Sequence, residues 1–219
     1  MRVQFFAGYG DSLKLLFDGK ITTCYSSRQG VDIVTQIVAQ EMAPLNPFVS
    51  LVFPKSTKKS AIIKTIIGNY LSCKSGVISL TDNQDVEMQS DYTAEGSAYF
   101  LLNKMTEGKW FQTGQTINVL QDNDTLTGLI QQLTPETGLI NTPRRANQWL
   151  EADMIFTPEM VLGQRVKLAD SIEPVWNGDF KVNRMHHSGN ISPTKAGRAT
   201  TKLQLTRIDI SQLSKAAKY

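Results

Sequence analysis

Leu13–Ser26 reads L-K-L-L-F-D-G-K-I-T-T-C-Y-S, two apolar runs flanking Asp18-Gly19. Such a dipeptide between apolar runs is a hairpin signal, because glycine takes positive φ without a side-chain clash. It predicts one strand over Leu13–Phe17 and another over Ile21–Ser26. Outward from there, Arg2–Ala7 reads as a strand before a turn at Gly8–Asp11, and Val31–Val38 as a fourth strand after the break at Gln29-Gly30. In that last run Val31, Ile33, Val34, Ile37 and Val38 are β-branched, which favours strand over helix. The expectation is an antiparallel meander that needs a partner layer to close its core.

The period changes after Pro44 and Pro47. Phe48–Phe53 is a short strand ended by Pro54. Over Ser60–Leu71, Ile62, Ile63, Ile66, Ile67 and Leu71 share one helical face, with Lys58, Lys59 and Lys64 off it and Ser56, Thr57 or Ser60 placed to cap it. Val77–Leu80 reads as a strand and Asp82–Asp91 as a polar acidic loop, the weakest segment for order. Ala94–Met105 is predicted helical, with Gly108 as its stop. From Thr116 the signals are β again: Thr116–Leu120, a turn at Asp122–Asp124, Leu126–Leu133 as strand or short helix, then Gln148–Phe156, Arg165–Ala169, Phe180–His187 and Ala199–Ile208. In Ala199–Ile208, Thr201, Leu203, Leu205 and Arg207 alternate with Lys202, Gln204, Thr206 and Ile208. The predicted class is mainly β with a smaller α+β part, built from barrel-like antiparallel domains. The predicted parts are a meander over 1–41, a mixed α/β segment over 42–112, a C-terminal β domain over 113–210, and a basic tail over 211–219 that is helical or disordered.

The 219 residues carry 41% hydrophobic and 20% charged side chains, with a net charge of +3. That composition is ordinary for a globular chain with a real core, and the charge is too mild to mark a nucleic-acid binder. No apolar run approaches the ~18 residues of a membrane span, and the opening M-R-V-Q-F-F-A-G-Y-G does not read as a signal peptide. Cys24 and Cys73 are too few for a disulfide framework or a thiolate zinc site, and read as reduced, mostly buried thiols of a cytoplasmically made protein. Charge is segregated. Ala43–Thr81 has no Asp or Glu but five lysines, Asp82–Glu95 is acidic, and from Lys181 onward only Asp209 opposes eight bases. These are solvated faces, or complementary patches that meet across subunits. The aromatic interleaving of a single-strand nucleic-acid groove is missing from the basic third.

Catalytic signatures are missing too. His186 and His187 are strand neighbours on opposite faces, so one metal cannot take both from that element. There is no H-E-x-x-H, no G-x-S-x-G, no phosphate loop and no dinucleotide fingerprint. The expectation is no enzyme, no cofactor and no metal. Glu136–Arg145, E-T-G-L-I-N-T-P-R-R, joins two turns to a double arginine. It reads as a shaped connection, with Arg144 and Arg145 either solvated or offering planar forks to a subunit interface.

Several fragments, in order, resemble phage baseplate and tail hub proteins. They are Ala7-Gly8-Tyr9 with Leu16–Ile21, then Asp32–Thr35 and Ile37–Ala39, then Thr137–Ile140 and Thr142-Pro143. After these come Phe156, Pro158, Gly163–Val166, Gly178–Val182 and His187–Gly189. The resemblance implies a structural, non-catalytic subunit in the baseplate or tail tip of a virion. It implies a ring, expected as a homotrimer, that joins the tail tube protein to a central spike beside other baseplate proteins, with DNA only in transit. Members of that family usually carry a further β-rich segment before the Ala7-Gly8-Tyr9 hairpin. The implied barrel is therefore incomplete at Arg2, Val3, Gln4 and Phe5, which become interface candidates with Arg144 and Arg145. The competing readings are a tail-associated peptidoglycan hydrolase centred on His186 and His187, and a host-surface or nucleic-acid binding module using the basic C-terminal third.

Overall fold

The computed structural model describes residues 1–41, 46–169, 173–190 and 197–209. The expectations for Pro44 and for the tail from 211 onward lie outside these residues. The chain is mostly β, with two α-helices, and no sheet closes into a barrel among the described residues. It divides into two compact units, Met1–Gly76 with Asp82–Val119, and Val77–Thr81 with Leu120–Tyr219.

The first unit begins with a three-stranded antiparallel sheet of order β1-β2-β3. Its strands are β1 (Arg2–Tyr9), β2 (Ser12–Gln29) and β3 (Asp32–Gln40). The turns at Gly10 and Gly30 take positive φ, as hairpin turns require. The hairpin predicted at Asp18-Gly19 does not form: β2 runs unbroken through it for 18 residues. The reason is crowding. Val3 of β1 lies opposite Gly19, and β3 reaches the adjacent Lys20 through Gln40. A Cβ on Gly19 would sit 2.4 Å from the Gln40 carbonyl oxygen and 2.6 Å from the Phe17 ring. Glycine serves close approach of three chains here, the other use of a strand glycine.

The rest of the unit holds β4 (Phe48–Phe53), α1 (Lys59–Asn69), β5 (Lys74–Ile78), β6 (Tyr92–Ser97), α2 (Ala98–Thr106), β7 (Trp110–Thr113) and β8 (Thr116–Val119). Ile62, Ile63, Ile66 and Ile67 of α1 are fully buried, as their spacing predicts, and α1 packs on α2. None of Ser56, Thr57 or Ser60 caps α1 with its own oxygen; Asp85 does so from the acidic loop. Its carboxylate accepts from the Ser60 N–H at 2.8 Å and the Ser60 hydroxyl at 3.0 Å. That carboxylate suits the positive end of the helix dipole. Asp91 accepts from the Lys55 N–H, and Met88 exchanges backbone bonds with Ser56 and Thr57, so the acidic loop is tied down at several points. Helix α2 starts four residues later than expected, because β6 claims Ala94–Ser97 for its antiparallel ladder with β4. Glu107 and Gly108, both at positive φ, end it.

The second unit is a six-stranded sheet of order β10-β11-β14-β13-β12-β9. Its strands are β9 (Leu126–Leu133), β10 (Arg144–Ala146), β11 (Trp149–Ile155), β12 (Gln164–Leu168), β13 (Gly178–Ser188) and β14 (Thr200–Arg207). The ambiguous Leu126–Leu133 is a strand, parallel to β12. Leu150, Ala152, Met154, Val166, Leu168, Phe180, Val182, Leu203 and Leu205 bury one face. Met160, Leu139 and Leu162 pack on it from the loops 134–143 and 156–163. The alternation read in Ala199–Ile208 holds for Thr201, Leu203 and Leu205, which are all buried.

Candidate subunit interfaces

In the N-terminal sheet, residues directly opposite across a ladder share a face. Val3 faces Gly19 and Ile21 faces Ala39, and no irregularity separates Gly19 from Ile21. The odd-numbered residues of β1 and β3 therefore lie on one face. They are Val3, Phe5, Ala7 and Tyr9, then Ile33, Thr35, Ile37 and Ala39, with Phe17, Gly19 and Ile21 between them. Apart from Thr35 these are glycine, apolar or aromatic. The ladders also put Ser12, Lys14, Cys24, Ser26 and Arg28 of β2 on the same face, opposite Tyr9, Ala7, Ile37, Thr35 and Ile33, so the apolar stretch is confined to the middle, around Val3, Phe5, Phe17, Ile21 and Ala39. Phe5 is 48% exposed and Ile37 54% exposed. The even face carries exposed Phe6, Leu13, Leu15, Val34 and Val38 together with a polar cluster. There the Arg2 Nε donates to Asp18 Oδ1 at 2.7 Å, a second Arg2 nitrogen pairs with Oδ2, and Gln4 Nε2 donates to Oδ2 at 3.1 Å. The hydrogen bonds from Arg2 and Gln4 hold the Asp18 carboxyl down to a pKa of about 2. Tyr25 donates to Gln36 across β2 and β3 on the same face. Val3 and Phe5 thus lie in the apolar stretch of one face, and Arg2 and Gln4 in a closed polar cluster on the other.

Beyond Gln40 the sheet is tethered to the β7–β8 turn. The Glu41 carboxylate accepts from the Gly114 N–H at 3.0 Å, and Gln112 Nε2 donates to the Glu41 carbonyl at 3.3 Å. Nothing in the sequence flags this anchor, since Glu41 and Gln112 are 71 residues apart in the chain.

Glu136–Arg145 folds as expected of a shaped connection. Thr134 and Thr137 bond to each other's backbone, and Ile140 and Gly138 join β11 through Asp153 and Ile155. Arg144 and Arg145 sit in β10 rather than in a turn. Asn147, at positive φ, and Gln148 make the two-residue hairpin into β11. Arg144 pairs with Glu151 at 2.9 Å, its side chain 77% exposed. Arg145 Nε donates to the Asn147 carbonyl at 3.1 Å. The open face of this sheet carries a row across four strands, Arg144, Glu151, Gln204 and Arg184, with Asp153, Lys202 and His186 beside it. Arg144 and Arg145 are in the second unit and Arg2–Phe5 in the first.

The two histidines separate as strand neighbours must. His186 is exposed opposite Lys202. His187 is half-buried, edge-on to Phe156, with Nδ1 2.8 Å from Thr201 Oγ1 and a buried Nε2 without a partner. Burial, and secondarily the charge of His186, push its pKa below the usual histidine value. The buried polar set of Ser79, Asp124 and Lys181 is likewise internal: Ser79 donates to Asp124, and the Lys181 ammonium donates to the Gln121 and Asp122 carbonyls at 2.8 and 2.7 Å. Among the described residues no cluster of His, Cys, Asp or Glu could hold a metal ion. No helix among them is long and apolar enough to cross a membrane. Cys24 and Cys73 are free thiols, but against the expectation of burial Cys24 is exposed, on a strand of the open N-terminal sheet, and Cys73 is only part-buried.

The family model for the baseplate hub gp41 matches residues 1–189 of the 219. No curated protein matches the sequence.

Proposed function

Because the chain belongs to the baseplate hub gp41 family, and so has a structural role in a phage baseplate, we propose that it is a non-catalytic ring subunit joining the tail tube to the central spike. The ring is a homotrimer in this reading, made in the host cytoplasm, with the tube protein, the spike protein and other baseplate proteins as neighbours and DNA passing in transit. The observation that carries it is the N-terminal sheet, where Phe5, Tyr9, Ile33 and Ile37 are exposed and the outer edges of β1 and β3 pair with no further strand among the described residues. Soluble monomers rarely expose a contiguous apolar patch of more than a few hundred Å² unless it serves contact. We assign the subunit interfaces to Arg2, Val3, Gln4 and Phe5 on β1 and to Arg144 and Arg145 on β10. Rings of repeated heterologous contacts are the physical form of a closed cyclic assembly.

Native mass spectrometry of the purified chain, with a cryo-electron-microscopy reconstruction of the tail, tests this. A closed trimer that is also found between tube and spike supports it. A monomer at every concentration, missing from tail particles, ends it.

A further inference from the structure

The three N-terminal strands are staggered. β1 pairs with β2 from Ser12 to Lys20, and the Met1 carbonyl accepts from the Ile21 N–H at 2.9 Å. β3 pairs with the opposite side of β2, from Lys20 to Gln29. Two notches follow. Among the described residues the β1 side of β2 has no ladder partner over Thr22–Gln29, and the β3 side has none over Ser12–Gly19. Each notch is eight positions long, counting 22 to 29 and 12 to 19. β1 has eight residues and β3 nine.

We propose that the sheet is self-complementary, and that a second copy of this chain docks into it edge to edge. The β1 of the next copy enters the notch beside Ser12–Gly19, and the outer edge of β3 meets Thr22–Gln29 of that copy's β2. This deepens the ring reading and rests on it. Three observations support the match. The lengths agree at both seams. The sense agrees too: β1 and β3 are each antiparallel to β2, so both new seams are antiparallel without turning the incoming copy over. And the edges are unguarded. β1 carries one charge, Arg2, which is held by Asp18, and β3 carries one, Asp32, at its start; neither contains proline. Natural edge strands of this length ordinarily carry charges, prolines or a cover to prevent such pairing.

Each added copy widens the sheet by two strand positions and keeps its faces in register, so the apolar stretches around Phe5, Phe17, Ile21 and Ala39 of successive copies become continuous. The main-chain bonds supply affinity, and the stagger supplies specificity, since only a chain with the same offset fills both notches at once.

Mixed cross-linking tests the seam. In a Cys24→Ser, Cys73→Ala background, Tyr25→Cys is made in one preparation and Val34→Cys, Gln36→Cys, Val38→Cys or Thr35→Cys in another. Equal amounts are unfolded together, refolded and oxidised, with circular dichroism confirming the native fold. Tyr25, Val34, Gln36 and Val38 share the even face, and Thr35 lies on the odd one. The expected result is a disulfide-linked mixed dimer with at least one of the three even-face partners, at least ten-fold stronger than with Thr35→Cys. Native mass spectrometry on the same samples separates the two readings. A defined oligomer with no face-selective cross-link overturns the seam and leaves the ring; a strand of another baseplate protein then covers these edges. A monomer throughout overturns both.

Discussion

Leu203 and Leu205 of β14 are 1% and 0% exposed, whereas Ile33 of β3 is 77% exposed. β14 gathers Leu203 and Leu205 on one face, whereas β3 has Ile33 and Ile37 on one face and Val34 and Val38 on the other, and all four are exposed. The difference in exposure comes from what lies above each face. In the C-terminal sheet the loops 134–143 and 156–163 return over the strands and bring Leu139, Met160 and Leu162 down onto them. In the N-terminal sheet Phe5, Ile33 and Ile37 stay exposed among the described residues. Alternation therefore specifies which side chains share a face, and a second layer decides whether that face is a core or a contact surface.

Paired substitutions should separate the two sheets most strongly. Leu205→Ala leaves a cavity in a closed core and should lower the unfolding free energy by about 2–5 kcal/mol, read by guanidinium titration with the fluorescence of Trp149 and Trp176. Ile37 is already 54% exposed, so Ile37→Ser should move the same titration far less, by about 0.5 kcal/mol. It should instead deplete the oligomer in sedimentation at equal concentration. Equal losses of stability at both positions would mean that the face holding Ile37 is covered within one chain.

A smaller effect concerns the acidic loop and α1. Asp85 takes the place of the N-cap that Ser56, Thr57 and Ser60 do not supply. Asp85→Ala should cost about 1 kcal/mol, the usual loss on removing a helix cap, and should reduce the helical circular dichroism before the β signal melts. Asp85→Asn keeps an acceptor oxygen and should recover most of the loss. If both variants melt with the wild type, the cap does not stabilise α1.

The two sheets also differ in how far the sequence alone revealed them. Period and branching located most of the longer strands and the four buried isoleucines of α1, because those signals are local, but β6 reads as the start of a helix, β7 and β10 carry no strand signal, and β9 reads equally as strand or helix. The Asp18-Gly19 hairpin was misread because the same dipeptide serves a tight turn and a close approach of neighbouring strands. Only the pairing of β1 and β3 around Gly19 separates these. The Asp85 cap, the Glu41 anchor and the parallel pairing of β9 with β12 join residues far apart in the chain, and nothing local marks them. Arg144 and Arg145 stood out as a pair, yet the short strand β10 that holds them was hidden behind Pro143. The stagger that leaves two notches beside β2 is a property of register, and composition carries no trace of it.

His187 offers the finest distinction, between the covered and open faces of one strand. The Thr157 N–H donates to Thr201 Oγ1 at 3.0 Å, and His187 Nδ1 lies 2.8 Å from the same hydroxyl. Protonating the imidazole puts a charge on a half-buried ring edge-on to Phe156. The folded pKa accordingly lies below the ordinary histidine value of about 6.5, by burial first and by the charge of His186 second. The unfolded chain then takes up the proton first as pH falls, so this contribution is complete above about pH 6.5 and is lost progressively below it. Thermal unfolding of the wild type should show a midpoint that declines as pH drops from about 7 to 5. His187→Phe should flatten the decline, since it removes the titrating group and keeps a ring against Phe156. His186→Gln should only shallow it, because the neighbouring charge is the lesser cause. An unchanged slope in His187→Phe would assign the pH dependence to carboxylates elsewhere and leave the His187–Thr201 contact as packing alone.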